Sequence, residues 1–408
     1  MNNKVVCLFL ILSLFQFSSA YAGVEDGVVA YKQGDYEVAY SEFEAPAEAG
    51  NPVAQYHLGM MFIGGLGVEQ KPQLGIKWLT KAASQGGAEA QFELGNAHRK
   101  YSEGNDKNYE PLRWYRSSAA LGHVEAGLEY GKLLLSKETS EHDKKAFAQF
   151  LVLAEDGEGR AQRYVAFMYE SGRGVSKDLT QAAHWVQKSA EQKMPWAVGR
   201  LGSYYYFGRG VEKDTAKALY WFEVGAGMGE PISHYLLGVM YVKGDRVVQD
   251  YEKAEDHLLK AAELGLSKAY YALGVLFYQG KGVKKDYGKA IGFIERAAKE
   301  GDANAQYLYG VMHYIPRGVD RHLGKAVHWI KKSAEAGVVS AQYAMGYINY
   351  TGKGRVDYTE AYKWFYISAA NGSANGKRAL QSDRNMMMTN DRNKGKRLAD
   401  EWLAQHRK

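Results

Sequence analysis

Across residues 303–338 apolar side chains recur every three or four positions, stop, and begin again. Ala305, Leu308, Val311, Met312 and Ile315 share one face of a first helix. Pro316-Arg317-Gly318 breaks it. Ala326, Val327, Ile330 and Ala334 share a face of a second helix, with Lys331, Lys332 and Glu335 off that face. Gly337 ends it, as glycine beyond a C-cap does. The pattern predicts a helix–turn–helix of 36 residues.

The same period runs through most of the chain. Gly59, Gly95, Gly131, Gly202, Gly238, Gly274, Gly310 and Gly346 form a ladder in steps of 36, with Ala166 filling the one missing rung after a step of 35. Nineteen residues after each rung stands an aromatic: Trp78, Trp114, Phe150, Trp185, Trp221, His257, Phe293, Trp329 and Phe365. Twenty-four after it stands a small residue such as Ala83, Ala262 or Ala334, Glu155 being the exception. Nine repeats follow: 52–87, 88–123, 124–158, 159–194, 195–230, 231–266, 267–302, 303–338 and 339–374. Each rung glycine falls inside the first helix, where it costs about 1 kcal/mol relative to alanine. Close approach of the second helix, with the alanine facing the glycine, is the expected return. The aromatic is expected to fill the space between neighbouring repeats, and His257 to stand in as a packed aromatic.

Ala54-Gln55-Tyr56-x-Leu58-Gly59, Gly172-Arg173-Gly174-Val175-x-x-Asp178, Gly208-Arg209-Gly210-Val211-x-x-Asp214, Gly280-Lys281-Gly282-Val283 and Ala305-Gln306-Tyr307 with Gly310 resemble the Sel1-like repeat, a relative of the tetratricopeptide repeat. The resemblance covers 52–374. It implies an all-α, right-handed α-α superhelical solenoid and a role as an adaptor that binds other proteins. Repeats 88–123 and 124–158 depart from it: both lack the Gly-x-Gly-Val turn, and the second lacks the glutamine at position 127.

The flanks read differently. Met1 to Ala22 has Lys4, an apolar run from Val5 to Phe17 and Ala20-x-Ala22, the pattern of a cleaved signal peptide; the run is too short to span a bilayer. The expected location is periplasmic or secreted. Residues 23–51 read as N-terminal capping helices and 375–408 as C-terminal ones, Gly376–Met387 and Asn390–His406. Segment 375–408 holds nine Lys or Arg and four Asp or Glu, which is the whole basic excess of residues 23–408. It presents either a solvated cap face or a contact for an anionic partner.

Composition narrows the chemistry. With 46% hydrophobic and 24% charged residues the chain is no disordered segment. At 408 residues it exceeds one compact core, as an extended repeat array does. Its single cysteine, Cys7, lies in the leader, so residues 23–408 carry no thiol nucleophile or thiolate ligand. No Ser-x-x-Lys, His-Glu-x-x-His or phosphate-binding Gly-x-x-x-x-Gly-Lys-Ser/Thr occurs. His322 and His328 are six apart, the wrong spacing for zinc on a helix. No catalytic residue, metal site or cofactor is expected, and a neutral body argues against nucleic acid.

A partner surface is expected on the first helices. Positions three before, one after and four after each rung share a face: Tyr271, Val275, Tyr278; Tyr307, Val311, Tyr314; Tyr343, Tyr347, Tyr350. Tyr206, Tyr278, Tyr314, Tyr347 and Tyr350 are the candidate contacts, since tyrosine suits interfaces. Packing against the next repeat is their other role. The leading expectation is a non-enzymatic scaffold of the cell envelope. A secreted or surface factor binding a host protein is the alternative, and a cell-wall or β-lactam hydrolase is a third reading from another class.

Overall fold

The computed structural model describes residues 23–102, 106–352, 356–382 and 387–406; the leader pattern and Cys7 lie outside them. The described residues form helices and turns and no strand. They divide into two compact bodies, residues up to 197 with 209–211, and 198–208 with 212 onward.

The N-terminal body holds α1 (23–33), α2 (Tyr36–Glu48), α3 (Pro52–Gly64), α4 (Pro72–Ser84), α5 (Ala88–Tyr101), α6 (Asp106–Ala120), α7 (Val124–Leu135), α8 (Ser140–Glu155), α9 (Gly159–Ser171) and α10 (Leu179–Glu191). The next helix, α11, is Pro195–Phe207. The C-terminal body continues with α12 (Thr215–Gly227), α13 (Pro231–Lys243), α14 (Tyr251–Glu263), α15 (Ser267–Gln279), α16 (Tyr287–Lys299), α17 (Ala303–Tyr314), α18 (Leu323–Glu335), α19 (Val339–Thr351), α20 (Tyr358–Ala370), α21 (Ala374–Ser382) and α22 (Thr389–His406). Odd-numbered and even-numbered helices alternate as first and second members of the repeats. Within each body the pairs stack in chain order, the all-α solenoid that the 36-residue period predicts.

Each pair closes on its rung glycine, though against a different partner from the one expected. A Cβ on Gly310 would come within 2.6 Å of Ile330 Cγ1 and 3.0 Å of the Ala326 carbonyl oxygen; on Gly238 it would meet Leu258 Cγ at 2.7 Å and the Ala254 oxygen at 3.2 Å. The backbone of the second helix does approach closely. In six repeats the side chain lying over the glycine belongs to the residue twenty positions on (Leu79, Tyr115, Phe222, Leu258, Ile294, Ile330), and over Gly346 to Phe365, nineteen on; it is not the alanine twenty-four on. Those residues are fully buried, whereas Trp78, Trp114, Trp221 and Trp329 are half-buried beside them. Trp78, Trp114 and Trp329 pack against apolar clusters that include the preceding segment, filling the gap between neighbours as expected. Their outer faces carry cations: Lys81 lies 3.9 Å from the Trp78 ring centroid and Lys332 5.2 Å from that of Trp329. Trp185 is buried, with Lys188 over it at 4.8 Å.

Neighbouring repeats are also joined by hydrogen bonds. The buried amides of Gln55, Gln91, Gln162, Gln306 and Gln342 each donate to the carbonyl eight residues earlier, in the last turn of the preceding second helix. Ser118 and Ser333 hydroxyls donate to the carbonyls of Ala88 and Ala303 at the start of their own repeat's first helix. The Gly-x-Gly turn does two jobs. Gly280 ends α15 in the left-handed conformation (φ 67°) and Gly282 (φ 68°) lies against Tyr251 of the preceding repeat, where any Cβ would collide. The aspartate closing this motif caps the second helix: Asp250 Oδ1 accepts from the amides of Glu252 and Lys253 at 3.1 and 3.0 Å.

Repeat 124–158 explains its own irregularities. Here Phe150 takes the place over Gly131, one residue early, and Ala154 is the buried small residue. Glu155 is thus a surface residue after a one-residue deletion, not an exception in the core. At the N-terminus α1 and α2 form a pair whose Val24, Ala30, Ala39 and Phe43 pack on α3. At the C-terminus α21 is Ala374–Ser382, and residues 383–386 of the expected Gly376–Met387 helix lie outside the described residues. Helix α22 seals the last repeat: Ala399 is buried, Trp402 lies 6.0 Å from Trp364, and Gly395 sits on the Thr359 carbonyl.

Candidate functional site

The first helices of the C-terminal body are buried on most of their circumference. One face meets the second helix of the same repeat through the rung glycine. Another meets the preceding repeat through Ala269, Ala305 and Ala341, all with no exposure. What is left is a strip at positions three before, one after and four after the rung. Tyr271, Val275 and Tyr278 on α15, Tyr307, Val311 and Tyr314 on α17, and Tyr343 and Tyr350 on α19 are half-buried there, and Tyr347 is 44% exposed. Tyr235, Val239 and Val242 extend the column onto α13.

The five candidate tyrosines do not share one environment. Tyr206 is buried, edge-on to Phe207 at 4.9 Å and tilted against Phe222. Tyr278 accepts a 2.8 Å hydrogen bond from Arg317 Nη1, and that guanidinium lies 5.5 and 5.7 Å from the rings of Tyr278 and Tyr287. This bond ties one repeat to the turn of the next. Tyr314 packs on the cluster around Ile330 and Met345. Tyr350 lies against Tyr358 and Phe365 at 5.9 and 6.3 Å. Tyr347 is the most exposed of the five.

Burial sets the electrostatics of the strip. It pushes the phenols of Tyr235, Tyr271 and Tyr307 above their ordinary range, and the Asp302 carboxylate adds to the effect on the first two. The strip's own side chains are tyrosines and valines with hydroxyls as their polar groups, and the Arg317 guanidinium is held at Tyr278: a surface for apolar contact and directed hydrogen bonds. Sequence reasoning missed Phe207 and Tyr220, which are 60% and 58% exposed. Nothing in their local pattern marks them, since both fall beside positions that are buried in other repeats.

Among the described residues no group of three or more His, Cys, Asp or Glu is placed to hold a metal ion. His234 and His257 approach at 3.0 Å between their Nδ1 atoms, and His257 stacks on Tyr241 at 5.7 Å, in the aromatic place of its repeat. His322 is the N-cap of α18, accepting from the Lys325 amide. No helix among the described residues is long and apolar enough to cross a membrane.

Comparisons with known proteins agree with this architecture. A family model described as Sel1 repeat matches residues 52–87, 88–123, 159–194, 197–230, 231–266, 267–302, 303–338 and 339–373. A protective antigen of uropathogenic Escherichia coli strains, displaying an SLR fold, superimposes with a TM-score of 0.63 at 26% identity, over 97% of this chain and 94% of that one. A Sel1 repeat protein from Oxalobacter formigenes has a TM-score of 0.63 at 27% identity, over 74% and 87%. The DAP3-binding cell death enhancer 1 of Rattus norvegicus is 33% identical over 44% of this chain and 36% of its own length. The ERAD-associated E3 ubiquitin-protein ligase component HRD3A of Arabidopsis thaliana is 28% identical over 45% and 30%. The chain thus spans about a third of the length of the curated relatives it matches. Repeat 124–158, passed over by the family model, is a helix pair like its neighbours. Eight matched repeats, the glycine-centred pairing and two solved structures of the same design make this chain a member of the Sel1 repeat family.

Proposed function

We propose that the protein is a non-enzymatic scaffold that binds an extended or helical segment of another protein along the first helices of its C-terminal body. The observation that carries this reading is the column Tyr271–Val275, Tyr307–Val311 and Tyr343–Tyr347: without a charged side chain, half-buried apart from the more exposed Tyr347, and repeated on three successive helices. A segment laid across it would meet equivalent positions at each repeat, as ligands of helical-repeat proteins do. The relatives named for binding DAP3 and for membership of a ubiquitin ligase support a role in protein assembly.

The setting we propose is the cell envelope or its exterior. The pattern of residues 1–22 supports export, and the likeness to a protective antigen supports a chain accessible outside the cytoplasm. The exposed cations Lys394, Lys396 and Arg397 on α22 add a contact for an anionic surface. Lys396 and Arg397 already face Asp400 and Glu401, so their free attraction is modest.

The test is a crosslinking capture from envelope extract with residues 23–408 as bait, against a Tyr347→Ala, Val311→Asp variant of unchanged helix content. One envelope protein taken by the parent and lost by the variant supports the reading and places the surface. Equal capture by both removes the strip from it. Capture of host proteins alone moves the chain to the secreted alternative, and turnover of a wall fragment or β-lactam would replace the scaffold reading.

A further inference from the structure

We infer that the cleft between α6 and α8, floored by α7, binds a single-headed amphiphilic anion: one phosphate or carboxylate on an apolar body. Two adjoining cavities of about 390 and 540 Å³ share Arg116, Ala120, Tyr130 and Lys145. Together they form one cleft, entirely within the N-terminal body. Arg113, Arg116, His142 and Lys145 contribute every titratable charge of the lining apart from the phenol of Tyr130; no carboxylate belongs to it. Leu112, Leu134 and Val152 supply apolar wall.

The cleft is a product of the irregular repeat. Gly127 stands where Gln55, Gln91, Gln162, Gln306 and Gln342 stand in their repeats, and the Gln149 side chain of α8, which also lines the cleft, lies against it instead. Helix α8 has sixteen residues where α10, α12, α14, α16, α18 and α20 have thirteen. Its extra first turn carries His142, Lys145 follows one turn on, and both line the cleft with Arg113 and Arg116 of α6. The cations are available. Arg116 has no ion pair among the described residues. Arg113 lies over the Trp114 ring at 5.0 Å, which holds it at the rim. Lys145 pairs with Glu141 at 2.7 Å, but both are mostly exposed, and a pair of that kind yields readily to a better-placed anion. A guanidinium matches phosphate or carboxylate with two parallel hydrogen bonds, and the apolar wall excludes water from one side of them. A bare inorganic ion would leave that wall unused, so the apolar body is part of the recognition.

Isothermal titration of residues 23–408 with octyl phosphate, below its micelle concentration, tests the site. Saturable one-to-one binding is expected. Octanoate in a parallel arm distinguishes a carboxylate source from a phosphate one; binding of either satisfies the inference. Arg116→Gln with Lys145→Gln should weaken it at least about tenfold. Ala120→Phe, which fills the cleft from an exposed position and changes no charge, should do the same, with the melting midpoint of both variants near that of the parent. Absence of saturable binding by either anion overturns the inference. So does binding that Ala120→Phe leaves intact, since that places the anion on surface cations elsewhere. Equal affinity for octanol, or for inorganic phosphate, also overturns it, because then only one half of the proposed recognition operates.

Discussion

The side-chain amide of Gln306 donates to the carbonyl of Ala298 across 3.2 Å, and so one repeat supplies a hydrogen bond to the end of the helix before it. The last carbonyls of a helix lack full intrahelical partners; that of Ala298 also accepts from the Gly301 amide at 3.2 Å, and the glutamine supplies its second bond. Gln342 does the same for Ala334 at 3.2 Å and Gln55 for Ala47 at 2.9 Å. Gln306→Leu keeps the volume and removes the donor. It should destabilise the C-terminal body by about 1 kcal/mol, read as a lowered midpoint in urea with helix content unchanged. Gln306→Leu with Gln342→Leu should come close to the sum of the two, because the sites share no partner.

Much of this was legible in advance, and the reason is repetition. A glycine recurring every 36 residues inside an amphipathic stretch has no explanation other than close helix approach. The partner was not legible. Trp78 or Trp329 draws the eye, but the residue over the glycine is its varied neighbour, Leu79 or Ile330. The face bearing Tyr278 follows from helical spacing. Its depth does not, because the residue that covers it, Arg317, comes from a turn 39 positions away. The departure of repeat 124–158 was plain, while the cleft it opens depends on how α6 and α8 settle around Gly127 and the Gln149 side chain against it.

Gly310→Ala sets two effects against each other. Alanine gains about 1 kcal/mol of helix propensity. Its Cβ would meet Ile330 Cγ1 at 2.6 Å and the Ala326 oxygen at 3.0 Å, and overpacking of this kind costs roughly 1–3 kcal/mol. The carbonyl cannot swing away without breaking α18. A net loss of stability is expected. Ile330→Ala, which removes Cγ1, relieves only the side-chain part, so a double-mutant cycle should show favourable coupling between the two changes, with the double variant still below the parent. A neutral Gly310→Ala would contradict close approach as the reason for the ladder.

Arg246 occupies the second glycine place of its turn and has φ 62°. A residue with a Cβ is strained there by roughly 1–2 kcal/mol. Gly282 and Gly210 hold φ 68° at the equivalent places in other repeats. Arg246→Gly should relieve that strain and return part of the gain to the more flexible unfolded chain. The expected result is a stabilisation of about 0.5 kcal/mol, seen as a raised urea midpoint for the C-terminal body. Arg246→Ala, which removes the side chain and keeps the strain, should give no such rise.

His57 makes stability fall on acidification. Its ring stacks on Phe43 at 4.8 Å with 3° between the planes, and lies near Tyr31 and Tyr56 as well. Burial, with a smaller push from the Lys32 charge, lowers its pKa from 6.5 to about 4. Below pH 6.5 the unfolded chain takes up the proton while the folded one does not, until about pH 4. The contribution is therefore complete above pH 6.5 and is lost progressively as pH drops toward 4. Burial lowers His234, His257 and His313 in the same direction, so both bodies share the trend. The melting midpoint should be lower at pH 5 than at pH 7.5. His57→Phe cannot titrate, and should flatten that slope for the N-terminal body whatever it does to the absolute midpoint. A slope equal to the parent's would mean that His57 is hydrated and charged in the folded protein, and that the Phe43 stack does not exclude water.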